Sequence, residues 1–136
     1  MVAPLEGVRV LDLTQTLAGP YSSMILGDLG AEIIKIEPPG ERQTVGGGTT
    51  FMGESIHFLA VNRNKKSITL NLKTEKGKEI FYAMTPQADV VFDNYRAGVL
   101  ERLGIDYGTL NSINSRIICC SVTGFGSSGP YKDRPA

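Results

Sequence analysis

Short apolar runs alternate with helical stretches along the chain, and glycine or proline separates most of them. Residues 8–13 (VRVLDL) predict a strand, and residues 32–37 (EIIKIE) predict a second, stopped by Pro38, Pro39 and Gly40. Between them Pro20 opens a helix over 21–29 that Gly30 closes, the usual placement of proline near a helix start and glycine past its end. Residues 40–50 read as a Gly/Thr-rich loop, followed by a short helix over about 54–61. Residues 67–72 (SITLNL) alternate with period two and predict a third strand. A helix over 74–84 has Thr74 as a natural N-cap and Glu75 in its first turn. Residues 89–93 predict a fourth strand, 98–103 and 107–113 two short helices, and 116–122 a fifth strand.

Strand–helix alternation with strands apolar on both faces implies an α/β fold: a mainly parallel sheet of five strands covered by helices. Such sheets bind ligands outside the carboxyl ends of the strands, near a switch in strand order. That rule selects four loops, 14–19, 38–48, 94–98 and 123–129. No internal repeat and no linker composition divides the chain.

Composition narrows the function classes. At 136 residues and 14.7 kDa the chain has the size of one domain. It has 14 Lys+Arg against 14 Asp+Glu, which argues against a strongly basic nucleic-acid binder and an acidic disordered tail. No apolar run approaches the ~20 residues of a membrane span, and the start (MVAPLEG) lacks the basic and apolar regions of a signal peptide. Zero net charge hides a basic middle. Arg63, Lys65, Lys66, Lys73, Lys76 and Lys78 face only Glu75 and Glu79 over residues 63–79. The adjacent Cys119 and Cys120 lie in a strand-like run and read as two small buried hydrophobes in a reducing compartment. One histidine, His57, and no Cys-x-x-Cys leave a metal site unsupported.

Three segments carry candidate chemistry. Residues 124–129 satisfy G-x-G-x-x-G after a strand, but Pro130 follows at once where a dinucleotide fingerprint should open a helix. The basic stretch suits either a solvated helix face or a phosphate-rich small ligand. Residues 93–102 (DNYRAGVLER) begin at a strand's carboxyl end and present an amide, an aromatic ring and a guanidinium together, with Arg102 on the next helix. Arginine suits phosphate and tyrosine can stack on a base, although a plain strand-to-helix turn reads the same way.

At these residues the sequence resembles the family III CoA-transferases, which include formyl-CoA transferase, carnitine CoA-transferase and alpha-methylacyl-CoA racemase. The resemblance rests on LEGVRVLDL at 5–13, LAGP at 17–20 and LGDLGAEIIKIEPPG at 26–40, then on NRNKKSI at 62–68, ADVVFDNYRAG at 88–98, and SVTGFG at 121–126 with Gly129 and Pro130. Six stretches in this order and spacing are specific. The resemblance implies a Rossmann-like CoA-binding large domain, of which residues 1–136 would be the N-terminal part, without the remainder of that domain or the small domain. It carries CoA contacts onto Leu17 and Ala18, onto Leu70, Asn71, Leu72 and Lys73, onto Asn94, Tyr95 and Arg96, onto Arg102, and onto Thr123, Gly124, Phe125 and Gly126. Lys73 and Arg102 are the choices for the phosphates. Pro38 stands where some members carry an arginine.

The implied activity is reversible CoA transfer between an acyl-CoA and a carboxylic acid acceptor, through aspartyl-anhydride and aspartyl-CoA intermediates. The nucleophilic aspartate is expected just beyond Ala136, so no catalytic residue and little activity are expected of this stretch alone. Coenzyme A enters as substrate, with no permanently bound cofactor and no metal. Neither nucleic acid nor membrane is an expected partner. The whole enzyme is expected to be an interlaced homodimer, cytoplasmic, or mitochondrial or peroxisomal in a eukaryote. Two alternatives remain: a racemase-type member acting alpha to an acyl-CoA thioester, and a non-catalytic nucleotide-binding module.

Overall fold

The computed structural model describes residues 2–40, 50–132 and 134. Its sheet contains five parallel strands: β1 (Arg9–Asp12), β2 (Glu32–Glu37), β5 (Lys65–Thr69), β6 (Val90–Asp93) and β7 (Ile118–Ser121). Their spatial order is β5-β2-β1-β6-β7. The chain thus builds outward from β1 on one side, returns, and builds outward on the other, the doubly wound arrangement of a Rossmann-like fold.

Side-chain alternation puts a separate core on each face. Leu11, Leu13, Ile36 and Val91 pack with Phe81, Ile105 and Leu110 on one face. These last three come from α3 (Glu75–Met84), the segment after α4 (Val99–Leu103), and α5 (Tyr107–Ile113). Val10, Ile33 and Phe92 pack with Leu26 on the other, the face covered by α1 (Ala18–Asp28). Helices on both faces therefore follow from strands that are apolar in both directions.

Helix ends follow local chemistry. The Thr74 hydroxyl accepts from the Gly77 N–H at 3.1 Å, as an N-cap should, and itself donates to the Asn71 carbonyl at 2.9 Å. Asp106 caps α5 by accepting from the Thr109 N–H and hydroxyl, which holds its carboxyl below the usual range. Gly98 (φ 79°) and Gly104 (φ 72°) bracket α4 in the left-handed region that glycine enters without a Cβ clash.

Four expectations shift. The helix expected over 21–29 begins at Ala18, so Pro20 sits in its first turn, where no backbone donor is lost. The helix expected over 54–61 begins at Ile56 as α2 (Ile56–Val61), with Ser55 as its cap. Residues 54 and 55 instead form β4 (Glu54–Ser55), antiparallel to β3 (Thr50–Phe51), joined by Met52 and Gly53 at positive φ. The third strand is Lys65–Thr69 rather than 67–72. Lys65 and Lys66 occupy strand positions because acids on neighbouring elements receive their ammonium groups, Asp12 at 3.1 Å and Glu32 at 2.6 Å. Cys119 is half-buried and Cys120 exposed, because β7 is an edge strand and the face carrying Cys120 is uncovered among the described residues. The glycine-rich loop falls mostly on residues outside the described ones.

Candidate functional site

Strand order reverses between β1 and β6, so the loops leaving these two strands flank the switch point. Asn94 staples them together. Its Oδ1 accepts from the Gln15 N–H and its Nδ2 donates to the Gln15 carbonyl, both at 2.7 Å. Gly19 makes that approach possible. A Cβ there would lie 2.5 Å from Thr14 Cβ and 3.2 Å from Asn94 Cγ. In the same turn Thr16 has φ 68°, an uncommon conformation for a β-branched residue, so the turn is locally strained.

Buried polar groups brace this turn from beneath. Asp12 is fully buried and accepts from the Thr14 N–H at 2.9 Å, the Thr14 hydroxyl at 2.5 Å and the Ser23 hydroxyl at 2.6 Å. The three N–H donors of Lys65 Nζ lie within hydrogen-bond distance of Asp12, Ser23 Oγ, the Pro20 carbonyl and Asn62 Oδ1. Burial pushes the Lys65 pKa down, and Asp12 pulls it back up. Lys35, also buried, donates to the Thr14 carbonyl at 2.8 Å.

Asp93 couples the next two loops. The Ser121 hydroxyl and the Tyr95 N–H both donate to its buried carboxylate. Burial raises the Asp93 pKa, opposed by those two hydrogen bonds. Further round, Leu70 and Leu72 are buried in the core and anchor a turn in which Asn71 Oδ1 accepts from the Lys73 N–H at 3.0 Å. Packing of α3 against that turn is close: a Cβ on Gly77 would fall 1.9 Å from the Asn71 oxygen. The turn leaves Lys73 exposed at the mouth of a cleft.

The cleft has a main part of about 940 Å³ and a neighbour of about 460 Å³, which share Tyr95 and Arg102 in their walls. Leu17, Ala18, Asn94, Tyr95, Arg96, Arg102, Thr123, Gly124 and Phe125 line the main part, and Lys73 lines the smaller one. Ten of the residues singled out in the sequence thus come together. Leu70 and Leu72 do not reach the cleft, Asn71 shapes the Lys73 turn, and Gly126 lies beside the wall, its N–H donating to Thr123 Oγ1. The sequence reading missed Lys132 and Arg134, which also line the main part. Their signal was two more bases after the glycine loop, on a stretch without periodicity.

Five cationic residues (Lys73, Arg96, Arg102, Lys132, Arg134) and no carboxylate, histidine or cysteine line the two parts among the described residues. Such a surface has the chemistry to hold a polyanion. His57 is exposed on α2 and is not among the lining residues. No group of three or more potential metal ligands occurs among the described residues. Most of the basic middle points elsewhere. Arg63 pairs with Asp28 at 2.5 Å, and Lys65, Lys66 and Lys78 pair with Asp12, Glu32 and Glu75.

A cationic crevice thus lies at the switch point of a doubly wound sheet, where open α/β sheets of this class place their ligands. Comparison with known proteins sharpens that class: residues 5–136 match the pattern of CoA-transferase family III, and the chain belongs to this family. It is 48% identical to human succinyl-CoA:glutarate CoA-transferase over 135 residues, covering 98% of this chain and 31% of that protein. It is 47% identical to acetyl-CoA:oxalate CoA-transferase of Acetobacter aceti, covering 98% of this chain and 34% of that protein. The crystal structure of Rv3272 from M. tuberculosis superposes with a TM-score of 0.91 at 40% identity, over 99% of this chain and 38% of that one. The chain therefore spans about a third of the length of the relatives it matches.

Proposed function

We propose that residues 1–136 supply the CoA-binding part of the Rossmann-like large domain of an acyl-CoA:carboxylate CoA-transferase. One observation carries the reading: among the described residues, five cations and no carboxylate line the switch-point cleft of a chain whose formal net charge is zero. Coenzyme A is a polyanion, with a diphosphate and a 3′-phosphate joined to a long, mainly uncharged pantetheine arm. Lys73 and Arg102 are assigned to the phosphates, and Leu17, Ala18 and Phe125 to the arm. Backbone and amide groups at Asn94, Tyr95, Arg96, Thr123, Gly124 and Gly126 orient it, while Leu70, Asn71 and Leu72 set the turn that presents Lys73.

In the whole enzyme an aspartate outside these residues attacks the acyl thioester and expels CoA thiolate, giving a mixed anhydride. The thiolate then attacks the aspartyl carbonyl and releases the first acid. The aspartyl-CoA thioester passes CoA to the acceptor carboxylate by the same two steps reversed. Covalent relay splits one difficult exchange into easier ones. The chain's own part is to hold CoA so that its thiolate is retained between steps. A homodimer in an aqueous compartment completes the proposal.

The test is a titration of the chain with CoA, ATP and NAD followed by amide NMR shifts. CoA is expected to perturb residues 94–96 and 123–126 and to bind more tightly than the other two. Replacing Arg102 with Ala should weaken CoA by about tenfold or more, from the loss of a charge-assisted hydrogen bond. No response to CoA, or equal affinity for all three, would overturn the reading.

A further inference from the structure

We infer that Lys35 is a positioning residue for ligand binding: from within the sheet it fixes the strained turn that walls the cleft, without touching the ligand itself. This rests on CoA occupying the cleft, as proposed above. Lys35 belongs to β2, in register with Asp12 of β1 and Ser67 of β5, and is 4% exposed. It lines neither part of the cleft. Its Nζ donates to the Thr14 carbonyl at 2.8 Å, and Thr14 is itself buried. Burying an ammonium group is costly, and an apolar side chain would fill such a strand position without that cost. What the ammonium adds is a charge-assisted hydrogen bond to one backbone oxygen at the base of the turn.

The consequence lies just beyond in the chain. Gln15 walls the smaller part of the cleft, and Thr16, Leu17 and Ala18 wall the main part. Thr16, at φ 68°, keeps a conformation that a β-branched residue holds only where its surroundings over-determine it. Those surroundings are on the page. Asp12 takes the Thr14 N–H and hydroxyl, Asn94 takes both backbone groups of Gln15, and Lys35 takes the Thr14 carbonyl. Loss of the Lys35 bond releases the carbonyl side of the Thr14–Gln15 peptide. Thr16 then relaxes toward negative φ and carries Leu17 and Ala18 off the wall.

CoA affinity is measured by amide NMR titration for the unaltered chain, Lys35→Met, Thr16→Gly and the double variant. Lys35→Met should weaken CoA by about tenfold, the scale of one charge-assisted hydrogen bond, and should shift the amides of residues 14–18 in the free chain. In the Thr16→Gly background the same substitution should cost less than about threefold, since glycine keeps positive φ without the brace. Leu110→Ala opens a cavity on the opposite face of the sheet and lowers stability, yet should leave CoA affinity within about twofold, which separates positioning from general weakening. No loss in Lys35→Met, an equal loss in both backgrounds, or a loss matched by Leu110→Ala would overturn the inference. Thr16→Gly alone should raise the urea midpoint; a lowered midpoint would remove the strain on which the role of Lys35 depends, whether or not Lys35→Met is stable enough to titrate. An unaltered chain that does not bind CoA overturns the reading of the cleft. One that binds CoA equally well with Lys35 and with Lys35→Met overturns only the role of Lys35.

Discussion

Replacing Lys65 with Met tests the buried brace under the first loop. The lysine side chain is 2% exposed, and its ammonium reaches four acceptors between 2.8 and 3.1 Å. Methionine keeps an unbranched chain of similar reach and removes the charge. Breaking a buried ion pair on one side costs about 3–5 kcal/mol. Two features place this case at the lower end. Asp12 keeps three donors, the Thr14 N–H, the Thr14 hydroxyl and the Ser23 hydroxyl. Burial also lowers the Lys65 pKa, so the native ammonium already bears a desolvation cost that methionine relieves. A loss of about 3 kcal/mol is expected, a large share of the 5–15 kcal/mol typical of a domain. Urea unfolding at neutral pH, followed by circular dichroism, reads it directly. The pair Lys65→Met with Asp12→Asn should recover at least half of the loss, because no uncompensated charge is left in the interior. A single-variant loss below about 1 kcal/mol, or a double variant no more stable than the single, would refute the account of this brace.

Other expectations follow from the same contacts. Asn94→Ala removes both hydrogen bonds across the switch point; half-exposed Gln15 gains water in exchange, so about 1–2 kcal/mol of stability is lost, while CoA titration should show a larger proportional loss of affinity. Gly19→Ala forces Thr14 and Asn94 apart and should abolish CoA binding, with amide shifts concentrated at 14–19 and 94–96; unchanged affinity would show that the loops tolerate separation. Asp93 has a raised folded pKa, so its contribution to stability is full below the ordinary value of 3.8 and is lost as pH rises through the raised one. The stability of the unaltered protein relative to Asp93→Asn should therefore fall as pH rises from about 4, measured by urea midpoints. Glu32 behaves oppositely: Lys66 and then Arg9 hold its pKa low, so its contribution is present above 4.5 and lost as pH falls through the lowered value, and Glu32→Gln should flatten that acid limb.

The sheet was legible because its strands are apolar on both faces and its connections carry capping residues. Thr74 and Gly30 behave as their positions in the sequence imply. Period two failed at residues 65–69, where the strand is built from lysines. A lysine in sequence reads as solvated, and nothing local announces that Asp12, 53 residues earlier, will meet it. The helix expected from residue 54 failed for the opposite reason: Met52 and Gly53 both enter positive φ, and the two-residue turn captures Glu54 and Ser55 into a hairpin.

The candidate cleft follows from a general property of parallel sheets, so its loops could be selected before their partners were known. Charge could not be assigned that way. The basic middle invited one reading as a phosphate surface, yet folding divides it. Asp28, Glu32 and Asp12 from the first third meet Arg63, Lys66 and Lys65, joining β5 and the turn before it to α1, β2 and β1. What remains for a ligand is Lys73 together with arginines and a lysine from later in the chain. Two of these three pairs are exposed, and a surface ion pair adds little to stability, so Arg63–Asp28 and Lys66–Glu32 matter here less for their energy than for where they leave the unneutralised charge. The acids of the early strands neutralise the nearby bases and are absent from the cleft lining, which concentrates a positive field at the switch point while the chain as a whole stays neutral.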